Sequence, residues 1–454
     1  MLFPRVLRTS ALAILISAGS GLAHAESMKE AFEHAYTNNP NIMSAYLSVK
    51  MAAEDIAIRK AGKLPQIDMT LSAGGSFAAT QGSYTTGHSY KLALGYSQNL
   101  FDNFKTEAQI EQARALAEVS KYALRNAEQN VLLSVATAYL NVVRDTQLVD
   151  MRSANVKFFQ AQLDSSESRL RLGEGTQIEV SQSNARLAAA VASHRSAVAS
   201  LQTSQASYER WVGRKPRSLS ASYNFKGALP KSIDDAVYSA ETNNPAILTA
   251  RAAIRSAQAG SDAAKAAFGP TLNLIGSLCG VGCFNNNPDQ GGMTGSVGLS
   301  LTVPIYSGGA MGASVRKANL DQIQSEVDAM ATRDQVKESV ISAWASLQNA
   351  TAQIQSAQSA VDSGQLVVDG TIQERDVGSK TTLDVLNAQA ELTSAREALI
   401  VASSSRLVAS FALLAASGKM SATDLGLRVE EHVPAAEAYQ EKVEDTWADL
   451  RSIE

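Results

Sequence analysis

Residues 66–101 read QIDMTLSAGGSFAATQGSYTTGHSYKLALGYSQNLF, and residues 271–306 read TLNLIGSLCGVGCFNNNPDQGGMTGSVGLSLTVPIY. In the first stretch Ile67, Met69, Leu71 and Ala73 alternate with Asp68, Thr70 and Ser72. After a polar Gly/Ser/Thr loop, Tyr90, Leu92, Leu94 and Tyr96 alternate with Lys91, Ala93, Gly95 and Ser97. The second stretch repeats the pattern with Leu272, Leu274 and Leu278, and then with Val297, Leu299, Leu301 and Val303 set against Ser296, Gly298, Ser300 and Thr302. A period of two predicts strands with one apolar and one polar face. Two strand hairpins are therefore embedded in a chain that otherwise reads as helix.

Working outward, the hairpins belong to a larger duplication at a fixed offset of 205 residues. Thr37-Asn38-Asn39-Pro40 recurs as Thr242-Asn243-Asn244-Pro245, and the same offset maps Pro65 on Pro270, Leu100 on Ile305 and Tyr139 on Trp344. It continues through Gly173 and Gly378, Val180 and Val385, and Gly213 and Gly418. A register held without gaps predicts two copies of one unit, residues 26–213 and 232–418, joined by a Pro/Gly/Ser-bearing connector at 214–231. The corresponding acidic C-terminal tail, 419–454, is expected to be partly disordered.

Each copy opens with a short amphipathic helix, residues 27–38 and 232–243. Asn-Asn-Pro stops it and starts another, because Asn caps a helix well and Pro suits its first position. Leu64-Pro65 and Gly269-Pro270 end that second helix, since a residue before Pro is driven to extended conformations. After each hairpin comes a Pro-free stretch rich in Ala, Gln, Glu, Leu and Arg, at 105–172 and 311–377. As helix, each would reach roughly 100 Å, and the 4-3-4 spacing of Val131, Val135, Ala138 and Val142 suits lengthwise packing on neighbours. Gly173-Glu174-Gly175 and Gly378-Ser379-Lys380 then turn the chain back along 176–211 and 381–417. Both returns start with a capping-box pattern, Thr176-x-x-Glu179 and Thr381-x-x-Asp384.

The N-terminus has Arg5 and Arg8, an apolar run over 11–16 and Ala23-His24-Ala25 before Glu26, the layout of a secretory leader cleaved after Ala25. No Cys follows that site to carry a lipid anchor. Removing Arg5 and Arg8 takes the formal charge from -4 to -6, too mild to suggest a nucleic-acid partner, and no basic cluster stands out. No later segment approaches 18 consecutive apolar residues, so any membrane crossing has to use strands. Cys279 and Cys283 sit four apart in a Gly-rich setting, and export to an oxidising compartment favours a small-loop disulfide between them. Two lone thiols or half a metal site are the alternatives, although the five His offer no ligand spacing. No Ser/His/Asp or Cys/His arrangement and no phosphate loop after a strand stands out, so an enzyme ranks far lower than a channel or scaffold, and no cofactor is implied.

Four strands of about 10 residues can cross an outer membrane at a tilt but cannot close a barrel, and open edges are not tolerated in lipid. A trimer would pool 12 strands, an even number within the range of such barrels. Phe101, Phe104 and Tyr306 lie at strand ends, where aromatic belts sit.

With this layout in view, the chain resembles the TolC family of outer-membrane efflux and secretion channels over nearly its whole mature length. The duplicated order of elements carries the resemblance, together with the segment Val377-Gly378-Ser379-Lys380-Thr381-Thr382-Leu383-Asp384-Val385-Leu386-Asn387-Ala388-Gln389. The resemblance implies a mainly α fold with a membrane β-barrel contribution: a homotrimer whose 12-stranded barrel in the outer membrane stands on a helical barrel in the periplasm. It implies a passive duct for drugs or polypeptides, opened by a periplasmic adaptor and an inner-membrane transporter, in a tripartite efflux pump or type I secretion system.

For the pore constriction the resemblance points to Asp384, with Asn387 where a second acidic ring is usual, so weaker cation selectivity and divalent block are expected. Glu179 and Lys380 fall at the places of a gate tether, with Arg375 where an aromatic partner is usual. The turns bearing Gly173, Gly175, Thr176, Gly378, Ser379 and Thr381 are the implied adaptor contacts. Spacing alone assigns Asp384 and Glu179 to helix capping, and with the resemblance both roles stand together. The alternative reading is an exported coiled-coil scaffold or adaptor whose strands form a soluble β-domain.

Overall fold

The computed structural model describes residues 26–80, 82–220, 223, 225, 227–284 and 292–446; the segment 1–25 read from the sequence as a leader, residues 285–291 and residues 447–454 lie outside them. The chain opens with α1 (Met28–Asn38) and α2 (Pro40–Lys60), followed by one turn of 3-10 helix over Ala61–Lys63. Asn39 serves both: its backbone N–H closes α1 on the Ala35 carbonyl, and its side-chain oxygen accepts from Asn41 N at 2.9 Å to cap α2. Its side-chain nitrogen donates to the Trp211 carbonyl at 3.0 Å. Asn244 repeats this between α5 (Ile233–Asn243) and α6 (Pro245–Ala266), capping on Ala246 N and donating to the Ala416 carbonyl at 2.9 Å. The recurring Asn-Pro thus stitches each helix pair to the far end of its own return helix.

Between these pairs run α3 (Lys105–Arg171), α4 (Gln177–Val212), α7 (Ala310–Asp376) and α8 (Thr382–Ala416). α3 and α7 each have 67 residues, a length of about 100 Å. α3 packs lengthwise on α4, α2, α6 and α8, and α7 on α8 and α6. By length and composition α8 could cross a membrane, contrary to the sequence reading. Its buried Val385, Leu386, Leu392, Phe411, Leu413 and Leu414 are instead used in packing, and the same apolar content serves a core helix.

The main core lies where α1, α3, α4, α8 and the connector meet, around Phe32, Tyr36, Leu132, Val135, Tyr139, Tyr208 and Phe411. Tyr36, Tyr139 and Tyr208 are fully buried, and each hydroxyl donates, to Glu128 Oε1 at 2.6 Å, the Glu26 carbonyl at 2.7 Å and Glu26 Oε1 at 2.7 Å. A buried hydroxyl without a partner would cost about 1–3 kcal/mol, so these bonds fix the core's geometry.

The tail departs from expectation: residues 432–446 form α9 (His432–Thr446). Val433, Ala436 and Val443 are buried along one side, which a disordered segment would not provide. Its acids meet bases on α2 and α3: Glu444 pairs with Lys60 and Arg114, each at 3.1 Å, and Glu437 with Lys121 at 2.8 Å.

The strands β1 (Gln66–Thr80), β2 (Ser83–Phe101), β3 (Thr271–Phe284) and β4 (Gly292–Thr302) form one antiparallel sheet in the order β1-β2-β3-β4. The second hairpin stops at Thr302 rather than at 306, because Pro304 has no N–H for the ladder. β1 and β4 are edges, each with a partner on one side alone among the described residues.

A candidate channel wall and its helical tip

The ladder sorts the sheet into two faces. Met69 lies opposite Leu94, Leu94 opposite Leu278, and Leu274 opposite Leu299. Ile67, Leu71, Leu92, Val297 and Leu301 share that face and all are exposed, Val297 at 84% and Leu71 at 73%. On the other face Asp68 lies opposite Gly95, Gly95 opposite Ser277, and Ser277 opposite Ser296, with the two serine hydroxyls 2.9 Å apart. Thr70, Ala93, Cys279 and Thr294 form the next row. Gly95 has a specific use: a Cβ there would sit 2.6 Å from Asp68 Oδ1. An exposed apolar face backed by a polar one suits a wall between lipid and an aqueous lumen.

Aromatic residues mark both ends of this face. Phe77 stacks on Tyr84 near the loop, with centroids 6.2 Å apart, and Phe101 meets Phe104 edge-on at 5.9 Å beside the helices. Tyr84 to Phe101 is about 17 residues, roughly 55 Å along the strand and roughly 40 Å across at a tilt of about 45°, close to a bilayer with its headgroups. Phe77 and Tyr84 were not singled out from the sequence, although their places in the two-residue alternation carry the signal. Tyr306, which was, is exposed beyond the end of β4.

The cysteine bridge is a correction. Cys279 is a free thiol, and it and Cys283 occupy the same strand at positions opposite Ala93 and Ser89. Four residues of extended chain separate Cα atoms by about 13 Å, twice what a disulfide spans. The Gly-rich setting is strand, and an extended strand cannot close the small loop such a bridge needs.

At the far end both turns close with glycine. Gly173 (φ +77°) and Gly378 (φ +80°) adopt the left-handed conformation, and paired bonds return to the helix: Glu174 N to the Arg169 carbonyl at 2.9 Å and Ser379 N to the Glu374 carbonyl at 2.8 Å. Thr176 and Thr381 then cap α4 and α8, in capping boxes completed by Glu179 and Asp384. The Asp384 carboxylate accepts from Thr381 N at 2.8 Å and from Thr381 Oγ1 at 2.7 Å. Those bonds, backbone first, and then the charge of Lys380 hold it below the usual carboxylate range. Gly175 packs tightly against the end of α3, and Leu172, Ile178 and Val377 project apolar side chains into solvent around the turns.

The predicted tether residues have other partners within one chain. Glu179 is engaged in its capping box, and no ion pair joins it to Lys380 among the described residues. Arg375 donates from Nη1 to Gln162 Oε1 on α3 at 2.9 Å and pairs with Asp376 at 2.7 Å. Asn387 accepts from Arg186 Nη2 on α4 at 2.8 Å, a link between the two hairpins that the sequence reading missed. Higher up, Arg152 on α3 pairs with Glu397 on α8 at 2.7 Å.

A duplicated strand hairpin set on helical rods with capped, glycine-closed tips defines the class of outer-membrane channels joined to periplasmic helical barrels. The sequence matches the outer membrane efflux protein family twice, over residues 32–214 and 236–419, and the chain belongs to that family. It is 33% identical over 432 residues to the outer membrane efflux protein BepC of Brucella suis biovar 1, covering 95% of this chain and 93% of that protein. It is 26% identical to the outer membrane protein TolC of Escherichia coli K12, covering 91% and 86%. The crystal structure of the Campylobacter jejuni CmeC outer membrane channel superposes with a TM-score of 0.77 at 17% identity, covering 91% of this chain and 89% of that one. The protein is an outer-membrane protein whose helices extend on the periplasmic side, in a family of channels.

Proposed function

We propose that three copies of this chain close a 12-stranded barrel and a continuous helical barrel, a passive duct from the periplasm to the exterior for an efflux pump or a type I secretion system. The observation that carries this reading is the sheet: one face apolar and exposed, the other polar, both edges open. In lipid such edges need partners, and identical chains supply them. The helices give a second line of support. Leu320, Ile323, Val327 and Met330 form an exposed 3-4-3 stripe on α7, and Met43, Leu47, Met51 and Ile58 an exposed stripe on α2, at opposite ends of the row α2, α3, α6, α7. Each suits the other on a neighbouring copy.

At the tip, three ionised Asp384 side chains would form an anionic constriction, while the three Asn387 would be neutral and held by Arg186. The exposed Leu172, Ile178 and Val377 around the turns suit docking of a periplasmic adaptor, which would couple the duct to an inner-membrane transporter. Planar-bilayer conductance of detergent-extracted protein tests the reading. Small cation-preferring currents, blocked from one side by millimolar divalent cations, are expected; a stable protein that needs no detergent and conducts nothing would support a soluble scaffold instead.

A further inference from the structure

Glu26 is the first residue after the predicted leader, and its side chain and backbone are both held by hydrogen bonds. It is 4% exposed. Its Oε1 accepts three donors: Tyr208 Oη at 2.7 Å, and Arg214 Nη2 and Nε at 2.6 and 3.1 Å. Its carbonyl accepts from Tyr139 Oη at 2.7 Å and from Ser220 N at 3.3 Å, and its nitrogen donates to the Ser218 carbonyl at 2.6 Å. Burial first, and then for Tyr208 the bonded carboxylate, pushes both phenols well above their usual range, that of Tyr139 to about 12, so both remain donors. The cage joins α3, α4 and the connector to the start of α1, whose Met28, Ala31, Phe32, Ala35 and Tyr36 are buried.

One atom of this cage has no partner: Glu26 Oε2 is buried and accepts no hydrogen bond. A buried carboxylate oxygen left bare costs more than a bare neutral acceptor, so a donor is missing. The nitrogen of Glu26 faces one acceptor, the Ser218 carbonyl, and within a peptide bond it has a single proton to give. Its bond to that carbonyl is already short for a neutral amide. An α-ammonium group at the same position has three protons.

We infer that Glu26 is the mature N-terminus and that its α-ammonium group is the missing partner of Glu26 Oε2, so that leader removal completes a buried charge cluster tying both ends of the first repeat together. The inference rests on the exported reading of the chain. A leader peptidase hydrolyses the Ala25–Glu26 bond with one water: the hydroxyl goes to the Ala25 carbonyl carbon, the proton to the Glu26 nitrogen, and the freed amine takes up a second proton from solvent. The new cation then bridges the Ser218 carbonyl and Oε2, and with the Arg214 guanidinium leaves both oxygens of the carboxylate matched. Before cleavage the nitrogen cannot make the second bond, so the core between α1, α3, α4 and the connector is complete only in the processed chain.

The test is N-terminal sequencing of protein purified from the outer membrane, followed by labelling with 2-pyridinecarboxaldehyde, which reacts at a free α-amine. Glu26 is expected first, and its amine is expected to react at least about 100-fold more slowly in the folded than in the unfolded protein, because reaction requires local opening. A variant with one glycine inserted between Ala25 and Glu26 keeps every cage side chain but moves the ammonium one residue away; it is expected to label rapidly and to melt at a lower temperature. Leader retained in the outer-membrane protein would overturn both this inference and the exported reading. Removal at another bond, rapid labelling of folded wild-type protein, or an inserted glycine that leaves labelling and melting unchanged would overturn this inference alone.

Discussion

Asp384 is used locally whether or not a pore exists. Its carboxylate satisfies the backbone and hydroxyl of Thr381, and the same bonds keep it ionised. Because its folded pKa is depressed, the capping contribution is present above its unfolded pKa and fades as pH falls through the lower folded value. At neutral pH it is fully charged. Asp384→Ala should leave Thr381 able to cap and assembly intact while reducing cation preference; an unchanged reversal potential in a salt gradient would argue against the anionic ring. Cys279, free on the polar face of the sheet, should react with a small water-soluble maleimide without prior reduction. Mass spectrometry of unreduced protein showing Cys279 bridged to Cys283 would contradict the strand register.

At the scale of elements, α9 depends on a titratable junction at its first residue. Glu128 on α3 accepts from the Tyr36 hydroxyl and lies 3.7 Å from His432 Nδ1, with Arg125 and Glu431 within electrostatic reach. Burial, offset in part by the Tyr36 bond and Arg125, raises the Glu128 pKa to about 7. Burial lowers that of His432. A carboxyl with a raised folded pKa binds its proton more tightly in the folded state, so its contribution weakens as pH climbs from its ordinary range through about 7. Glu128→Gln keeps an acceptor for Tyr36 and removes the titration. The variant should gain on wild type between pH 5.5 and 8, by up to about 2 kcal/mol. A stability difference in denaturant melts that does not vary with pH would remove Glu128 from this role.

For the whole molecule, the 205-residue offset makes the junction between the two repeats a template for the junction between chains. Ser97 lies opposite Ile275 where β2 meets β3. Advancing the first by 205 and taking the second back by 205 places Thr302 of one copy opposite Thr70 of the next, and Ser300 opposite Ser72. All four positions belong to the polar face, so the two-residue alternation continues across the seam without a slip. In a background with Cys279 and Cys283 replaced by Ser, Ser72→Cys combined with Ser300→Cys should oxidise to covalent dimers and trimers on denaturing gels. Shifting one cysteine by a single residue, to the opposite face, should abolish this. Equal cross-linking in both registers would count against the 12-stranded closure.

Local chemistry along the chain dictates the elements and their duplication. Period-two alternation, Asn-Pro junctions, Thr-x-x-acid caps and glycine stops act through the backbone within a few residues, so they are legible without knowing what lies opposite. Tertiary structure decided which residues meet. The bond between Arg186 and Asn387 spans 201 residues of chain, and nothing near either one announces the other. Cys279 and Cys283 looked paired because they are close in sequence, whereas the strand holding them sets their distance. The tail read as partly disordered because its acids were counted without Lys60, Arg114 and Lys121 on the helices that receive them. Long-range partners depend on how rods of about 100 Å lie side by side, and a few kilocalories of packing and charge pairing, not local propensity, choose that arrangement.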